Sequence, residues 1–582
     1  MLNYSVRLTI RTLALGILLL PVTSVWAQTP TPNPTPLPTV DPTAQPTPLD
    51  EPRQPAFPAV QQLAVPPLPD LTRVGVISSN VLALSLNDAI RRALQNNNDI
   101  EVARDDVRIA EQRLRALYGF YDPVFTVAPT FDQRISPVTS VFAGGGTTGQ
   151  VSNTSFTVSP GLSKSFEKGG GNYQVQFFNS RTSTGATNST LNPFYNSSLS
   201  LLYTQPLLRN REIDAQRHSI RVQKKVLSQT DSDFRARTIA IIAQAQAAYW
   251  NLVFALRNQQ NQLDSLNLSR QNLRNIEAQI GAGAKAPLDR AQVLTDIATR
   301  EGALFQAVQS VSLAENTLKQ IMLKDPTAGE WTAQLTPTDT PSLDLSPVDL
   351  RGALEEAHKN RPELARLNFQ KEINTLDLQY FRNQAKPQID LTGAITSTGL
   401  AGTPALCVPD PVTGRTCPVT PSKYIGGYGQ DLTNMFTFKT REINIGVSIQ
   451  IPLRNRTAKA NVAAAEIQKE QLDATYRSQD QAVEMDVRNA AQSVDTAQKR
   501  IVTARLARES AEQQLAGEQK LYDVGRSTTF LLLQRQTELT TARTNELQAE
   551  TDYSKALADL QRATAATLRV NNVVVQNPVQ QP

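Results

Sequence analysis

The chain has few of the residues on which enzymes and metal proteins depend. Its 582 residues include only two histidines and two cysteines, and His218 and His358 lie far apart in the sequence. This scarcity argues against a multi-histidine metal site, a zinc ribbon or an iron–sulfur centre. The sequence also lacks a phosphate-binding loop and a nucleophile-elbow motif. We therefore predict no catalytic residues, no metal site and no cofactor.

Strong charge and long apolar runs are also missing. The net charge is +5 and no basic cluster is interleaved with aromatic residues, so the sequence predicts no nucleic-acid partner. The mean hydropathy is −0.32, which excludes a helical membrane protein. No segment after the N-terminus is predicted to form a membrane-spanning helix, which needs about 20 apolar residues. Any membrane insertion is therefore expected to use strands.

The first 27 residues are predicted to be a secretory signal peptide. Arg7 and Arg11 precede a short apolar run over residues 13–22, and Val25-Trp26-Ala27 forms a small-residue cleavage pattern. The alternative, an uncleaved anchor, suffers from the shortness of that run. Residues 28–80 are rich in proline and are predicted to form a disordered linker, or a semi-rigid spacer that binds a partner or crosses a cell-wall layer. Residues 571–582 are predicted to form a disordered tail.

The body of the chain is a duplication. The sequence around Ala89, Ala93, Asn96 and Pro123 returns 264 positions later, at Ala353, Ala357, Asn360 and Pro387. The first repeat covers residues 81–324 and the second covers residues 348–570, and a linker over residues 325–347 joins them. Each repeat is predicted to contain helices, strands, a very long helix, a glycine turn and a returning helix.

The long helices are predicted to form two helical hairpins, over residues 211–322 and 456–568, with turns at Gly283 and Gly525. Neither long helix is interrupted by proline. Apolar residues recur at the alternating spacing of a heptad seam, which predicts coiled-coil pairing. The first seam comprises Ala245, Tyr249, Leu252, Leu256, Leu263, Leu266, Leu273 and Ile280. The second comprises Val487, Ala490, Val494, Ala497, Ile501, Ala504, Ala511, Leu515 and Tyr522.

Strands are predicted between the helices, at about 123–205 and 387–452. Residues 443–451 alternate between apolar and polar side chains over nine residues, which is close to the length of one transmembrane β-strand. A half-buried sheet of a soluble protein gives the same alternation, but the signal peptide and the heptads favour the outer membrane. Residues 155–166 and 173–180 are two further strand candidates. They either join the barrel or extend its outer rim.

The order of these features resembles the TolC-like outer-membrane efflux protein family over residues 80–570. The likeness rests on the opening helices with Asn96 and Asn360, the breaks at Pro123 and Pro387, and the turn at Tyr522-x-x-Gly525. It also rests on the strand exits at residues 205–209 and 451–454. Each motif is weak alone, and their shared order carries the resemblance.

The resemblance implies a mainly α protein with a transmembrane β-barrel part. Three copies would share one barrel in the bacterial outer membrane, usually with four strands from each copy, and a periplasmic α-helical coiled-coil tunnel. It further implies a passive exit duct of a tripartite efflux or type I secretion system, whose partners are a periplasmic adaptor, an inner-membrane transporter and outer-membrane lipid. The cargo is left open, because the transporter selects it.

Site residues follow from the same resemblance. Family members often have acidic residues six and nine positions after each turn glycine, at the periplasmic entrance. These positions hold Asp289 and Gln292 in the first repeat, and Leu531 and Gln534 in the second. Asp289 is expected either to form an acidic ring in the trimer or to stabilise the N-terminus of its helix. The hairpin tips at Gly283 and Gly525 are expected to contact the adaptor.

Two features of the second repeat lead to further predictions. Cys407 and Cys417 flank a turn-rich loop and are predicted to form a disulfide, with free thiols as the alternative. Tyr424, Tyr428, Phe436 and Phe438 follow that loop. They are expected to form either an aromatic girdle at the membrane boundary or ordinary strand packing.

Three rival functions are compatible with an exported, hairpin-rich chain. A periplasmic adaptor would show one hairpin inserted into a split lipoyl-like domain, whereas this chain has two hairpins in a duplicated body. A coiled-coil structural protein of the cell envelope would form neither a detergent-resistant trimer nor a conducting channel. An exported enzyme would need a group of catalytic residues that the sequence does not contain.

Overall fold

The computed structural model describes residues 69–341, 346–405 and 420–575. The predicted signal peptide, most of the proline-rich segment, Cys407, Cys417 and the end of the predicted tail lie outside the described residues. Their predicted roles therefore remain predictions.

The described chain alternates between helices and strands in the order that the duplication predicts. The helices are α1 (Leu86–Asn96), α2 (Asn98–Tyr118), α3 (Ala215–Gly281), α4 (Pro287–Met322), α5 (Leu350–Asn360), α6 (Pro362–Gln384), α7 (Tyr428–Phe436), α8 (Arg456–Asp523), α9 (Thr529–Ala563) and α10 (Thr567–Val570). The strands are β1 (Ile77–Leu84), β2 (Val124–Pro137), β3 (Gln150–Ser165), β4 (Asn172–Thr184), β5 (Leu191–Pro206), β6 (Ala333–Pro337), β7 (Gln388–Pro404) and β8 (Arg441–Gln450).

The elements of the two repeats begin at equivalent sequence positions up to the first long strand of each repeat. Helices α1 and α5 begin at Leu86 and Leu350, and strands β2 and β7 begin at Val124 and Gln388. Both pairs are 264 positions apart, as the sequence predicts. The repeats then diverge, because the first copy supplies four strands of one sheet and the second copy supplies two.

Local signals explain where the helices begin. The hydroxyl oxygen of Ser85 accepts a hydrogen bond from the backbone N–H of Asp88 at 3.1 Å and caps α1. The carboxylate of Asp214 accepts one from the N–H of Arg217 at 2.8 Å and caps α3. Each cap satisfies an N–H group that the first helical turn leaves without a partner. The predicted start of the first long helix at residue 211 therefore moves to Ala215.

Helices α3 and α4 form the first hairpin. With 67 residues, α3 is about 100 Å long at 1.5 Å per residue. The first predicted seam is the buried core: Ala245, Tyr249, Leu252, Leu266 and Leu273 are at most 1% exposed. Leu256, Leu263 and Ile280 are partly buried against the same core. The heptad interpretation of this helix is confirmed.

One expectation about α3 is wrong. Among the described helices, α3 is the one long and apolar enough to span a membrane by length and composition, whereas the sequence analysis predicts no such segment. In the folded protein 61% of its most apolar stretch is buried. Packing against neighbouring helices, rather than lipid, therefore accounts for that apolar character.

Helices α8 and α9 form the second hairpin, and α8 passes through Gly517 without a break. Val487, Ala490, Val494, Ala497 and Ile501 of the predicted seam are buried. Ala504, Ala511, Leu515 and Tyr522, nearer the turn, are only half-buried. The return helix ends at Ala563 rather than at residue 568, and Ala565 beyond it has a positive φ of 56°.

A small parallel sheet of β1 and β6 lies against the middle of the first hairpin. Strand β1 crosses the boundary between the predicted proline-rich linker and the first repeat, and β6 lies in the predicted linker between the repeats. Tyr249 of α3 donates a hydrogen bond to the carboxylate of Asp339, just after β6, at 2.8 Å. Nearby, Arg73 forms an ion pair with the buried Glu315. Lys319 lies beside Glu315. Burial lowers the pKa of Lys319, although the negative charge of Glu315 acts in the opposite direction.

Candidate channel wall and tunnel entrance

Six long strands form one antiparallel sheet in the order β2-β3-β4-β5-β7-β8. The two extra strand candidates of the first repeat are β3 and β4, and they lie within this sheet between β2 and β5. The strands are 10 to 17 residues long, which exceeds the predicted lengths. This length suits the hydrocarbon core of an outer membrane when strands are tilted.

One face of this sheet is apolar across all six strands. Directly opposite residues in an antiparallel ladder place their side chains on the same face, so the register links Phe125 to Leu162, Val175, Leu201, Ile395 and Ile443. These side chains contact little within the chain. Phe125, Phe131, Ile443 and Ile445 are 58–77% exposed.

The opposite face of the sheet is mainly small and polar. The same register places these residues together: Thr126, Thr130, Thr157, Ser159, Gln174, Gln176, Ser198, Ser200, Thr392, Thr396, Asn444 and Ser448. A sheet with one apolar and one polar face is suited to separate hydrocarbon from water. The predicted alternation is therefore present on every strand.

Helix α7 packs on the apolar face of the sheet, over the half far from the long helices. Its buried Asp431 accepts hydrogen bonds from the hydroxyl and the N–H of Ser197 on β5. Ser397 on β7 donates to the carbonyl oxygen of Met435 at 2.6 Å. A Cβ on Gly399 would lie 2.2 Å from the Asp431 carbonyl oxygen, so this close approach requires glycine. The helix shields polar side chains that otherwise interrupt the apolar face.

The sequence analysis does not predict α7, and the helix decides one of its open alternatives. Tyr428 and Phe436 are the first and last residues of α7, so ordinary strand packing is the wrong explanation for them. Tyr428, Phe436 and Phe438 are 41–59% exposed. The aromatic girdle remains a prediction.

The turns of the two long hairpins have the same backbone geometry. At the first turn, the N–H of Gly283 bonds the carbonyl of Ile280 and the N–H of Ala284 bonds the carbonyl of Gln279. At the second turn, the N–H of Gly525 bonds the carbonyl of Tyr522 and the N–H of Arg526 bonds the carbonyl of Leu521. This is the Schellman motif, which needs a left-handed residue. Gly283 and Gly525 supply it with φ of 73° and 75°.

The two hairpin tips lie side by side. The ammonium group of Lys285, just after the first turn, stands 4.6 Å from the ring centroid of Tyr522, just before the second. A cation this close to an aromatic face is attracted by the ring quadrupole. The structure therefore brings Gly283 and Gly525 into one region of the molecule, although they are far apart in the sequence.

The four predicted entrance residues lie beside these turns. Asp289 is half-buried in the first turn of α4, and its carboxylate has no hydrogen bond or ion pair within the described part of the chain. Gln292, Leu531 and Gln534 are exposed. Gln534 donates to Glu538 at 3.1 Å, a carboxylate near the second tip that the family spacing does not indicate.

The sequence analysis missed a set of polar contacts that join the two hairpins. Asn272 on α3 donates to Gln536 on α9 at 2.8 Å, and Asn261 donates to Thr544 at 2.9 Å. Arg300 on α4 donates to Thr537 at 3.2 Å. Gln536, Arg300 and Asn261 are all at most 9% exposed. Polar residues at buried seam positions are the sequence signal that could have found them.

Metal-binding geometry is not formed by the described residues. Within residues 69–341, 346–405 and 420–575, no three or more histidine, cysteine, aspartate or glutamate side chains are grouped to hold an ion. The candidate site is thus a surface and an opening, formed by the sheet and the hairpin tips.

Comparison with known proteins identifies one family match. Residues 353–566 match the family described as outer membrane efflux protein. The chain resembles this family over its second repeat. No curated protein sequence matches the chain. The matched span is the second repeat, and the first repeat has the same order of elements.

Solved outer-membrane channels share the fold. The Campylobacter jejuni channel CmeC is 16% identical, covers 84% of this chain and 89% of its own, and gives a TM-score of 0.56. VceC from Vibrio cholerae is 16% identical, with coverages of 82% and 95% and a TM-score of 0.56. The Neisseria gonorrhoeae channel MtrE, in its open state, is 16% identical, with coverages of 82% and 88% and a TM-score of 0.54.

The family match and the shared fold assign places to the two parts of the molecule. The two-faced sheet is its outer-membrane part, and the long helical hairpins are its periplasmic part. The predicted fold class, family and location are confirmed. The turn glycines now mark the periplasmic end, because the hairpins point away from the sheet.

Proposed function

We propose that three copies of the chain form a conduit from the periplasm through the outer membrane. An inner-membrane transporter and a periplasmic adaptor deliver the substrate, and the conduit lets it leave as part of an efflux or type I secretion system. The partner supplies the transport energy, so this chain performs no catalysis. One observation carries the proposal: the two-faced sheet leads directly into helices about 100 Å long. Strand β5 ends at Pro206 and α3 begins at Ala215.

A single copy leaves apolar surface on its tunnel helices. Ile467, Met485, Val502 and Leu506 of α8 are 48–66% exposed. Apolar side chains along a coiled-coil helix favour burial against another helix. Neighbouring copies supply such helices in a closed ring, which supports the homotrimer.

The test of this proposal uses the purified full-length protein in detergent. We expect a mass equal to three chains and discrete conductance steps after insertion into planar bilayers. Heat-dissociated chains serve as the control and should give no steps. A stable monomer without conductance would instead indicate a structural protein of the envelope or an adaptor.

We also propose that Asp289 forms an acidic ring at the periplasmic entrance. Its carboxylate is near the hairpin tip and is free of ion pairs in the described chain. Three such carboxylates around one axis would concentrate cations. The alternative role, stabilising the N-terminus of α4, needs no axis and affects only local helix stability.

Reversal potentials in a salt gradient separate these roles for Asp289. Asp289→Asn should lower cation selectivity and block by divalent cations, and Gln292→Asp should raise both. Asp105→Asn is the matched control, because Asp105 lies on α2, whose contacts with α3 are near the sheet. Unchanged selectivity in Asp289→Asn would leave only the local helix role.

The hairpin tips are the proposed contact with the adaptor. A Cβ placed on Gly283 or Gly525 meets no other atom within 4 Å, so both tips are open to a partner. A photo-crosslinking residue at Ala284 or Arg526 should capture a periplasmic protein in intact cells. The same residue at Arg488, in the middle of α8, is the control. Equal capture at all three positions would argue against a tip contact.

A further inference from the structure

The hairpin of β3 and β4 is part of the sheet along its whole length. Strand β3 pairs with β2 from Val124↔Ser163 to Pro137↔Gln150. Strand β4 pairs with β5 from Asn172↔Thr204 to Thr182↔Phe194. These pairs run from the helix-proximal end of the sheet to its far end. The hairpin is therefore inserted into the wall and is no extension of its rim.

The inserted hairpin continues both faces of the wall. Its Phe156, Leu162 and Val175 lie on the apolar face, and its Thr157, Ser159 and Gln176 lie on the polar face. A hairpin that folded over the lumen or the outside would not need this pattern on both faces. The pattern is what a membrane-spanning strand pair requires.

The sheet ends in two open edges, β2 and β8, which pair with no further strand among the described residues. Unpaired backbone groups are strongly unfavourable in hydrocarbon, where no water can bond them, so a membrane sheet must close. Strand β2 runs away from the helices and β8 runs back towards them. A β8 of one copy beside β2 of the next is therefore antiparallel and continues the alternation around a ring.

We infer that three copies close an eighteen-stranded barrel through pairing of β2 in one copy with β8 in the next. The number rests on the proposed trimer, since each copy supplies six strands. Family members that supply four strands per copy make twelve. Barrel diameter grows roughly linearly with strand number, so this barrel is about one and a half times as wide.

Removal of the inserted hairpin tests the strand number directly. Strand β2 ends and β5 begins at the far end of the sheet, so a short turn can replace residues 138–190 and leave β2 antiparallel to β5. Neutral polymers of graded size, added from the outer side of a bilayer, report the lumen width by their effect on conductance. The exclusion radius of the wild type should be about one and a half times that of the deletion variant. Equal exclusion radii would overturn the inference.

Intermolecular crosslinking gives a second measurement that does not depend on the deletion variant. In a chain with Cys407→Ser and Cys417→Ser, Phe131→Cys on β2 is combined with a scan of single cysteines along β8. We expect dimers and trimers on a denaturing gel for at least one β8 position. Thr157→Cys on β3 with the same scan is the control and should give none. Crosslinks from β3 and not from β2 would overturn the inference.

The experiments distinguish a wrong strand number from a wrong assignment of the chain as a conduit. A chain that forms trimers and conducts, but has the narrower exclusion radius, contradicts the eighteen strands and leaves the proposed conduit intact. A chain that neither trimerises nor conducts contradicts the conduit itself.

Discussion

At the scale of single residues, Gly283 and Gly525 show why the hairpins turn where they do. Both hold φ near +75°, and neither has an atom within 4 Å of the position that a Cβ would occupy. Steric crowding by neighbouring atoms therefore does not explain why glycine occupies these positions. The left-handed backbone is the reason, because a Cβ there approaches the following carbonyl oxygen.

This distinction predicts opposite effects for two alanine substitutions in one hairpin, one in the turn and one within α8. Gly525→Ala should destabilise the second hairpin by about 1–2 kcal/mol through backbone strain. Gly517→Ala should stabilise it by up to about 1 kcal/mol, because Gly517 is helical and its Cβ meets open space. Hydrogen exchange in the last turns of α8 measures both. Shifts in the same direction would show that the φ of Gly525 does not matter.

Asp486 on α8 joins three elements through charge. It pairs with Arg361 at the junction of α5 and α6, and with Arg562 on α9 at 3.1 Å. Burial alone would raise the pKa of Asp486, but hydrogen bonds from Arg562 and Arg361 outweigh it and hold that pKa below 3.8. A carboxyl group whose pKa is lowered on folding contributes its full stabilisation at pH values above 3.8, its pKa in the unfolded chain. That stabilisation is lost as the pH falls below 3.8 and through the pKa that Asp486 has in the folded protein.

The pH dependence of Asp486→Asn follows from this sign. At pH 7 the substitution should lower the melting temperature of the detergent-solubilised protein, by an amount that corresponds to about 1–3 kcal/mol. The gap to the wild type should shrink once the pH is below 3.8. Asp495→Asn is the control, since Asp495 and Lys499 form an exposed pair and such pairs contribute little. A gap that is constant with pH would contradict the charge mechanism.

At the scale of elements, the polar contacts between the hairpins set how firmly they are joined. Asn272 and Gln536 form the shortest of these amide contacts, at 2.8 Å. Gln536 is only 3% exposed, so water does not readily replace its partner. An entrance that opens by outward movement of the hairpins must break this contact.

Alanine at both positions should therefore favour the open entrance. The coupling energy from Asn272→Ala, Gln536→Ala and the double variant should be about 0.5–1.5 kcal/mol. In bilayers, either variant should spend more time at high conductance. Gln260→Ala is the control, because Gln260 bonds Asp264 on its own helix. Equal open times in all variants would show that the entrance does not open by breaking the contact between Asn272 and Gln536.

The elements differ in how far the sequence predicts them. The seams of α3 and α8 are predictable because one period persists over many turns. The 264-residue offset locates α5, α6 and β7 because a duplication copies local signals. Strands β1 and β6 escape prediction, since each is short and pairs with a partner far along the chain. Helix α7 escapes because only the sheet beneath it explains the buried Asp431.

At the scale of the whole molecule, the sequence predicts a passive exported body but not how its wall closes. Alternation identifies residues 155–166 and 173–180 as strands, yet it leaves their place open because a rim and a wall share the same period. Pairing with β2 and β5 places them in the wall. The cross-hairpin contacts at Asn272 and Arg300 are equally non-local, and single polar residues in a seam are weak signals.

The apolar stretch of α3 has a consequence before the protein folds. An exported chain passes the inner membrane unfolded, so residues 239–256 meet the translocation machinery as a near-membrane span, with only Gln244, Gln246 and Asn251 as interior polar residues. Leucine at those three positions adds about −0.5 kcal/mol each to membrane insertion and removes polar groups that oppose it. We expect that variant to remain in the inner-membrane fraction, while leucine at Gln492 and Gln498 of α8 should not. On this account the three polar side chains would keep the apolar stretch of α3 from inserting into the inner membrane during export.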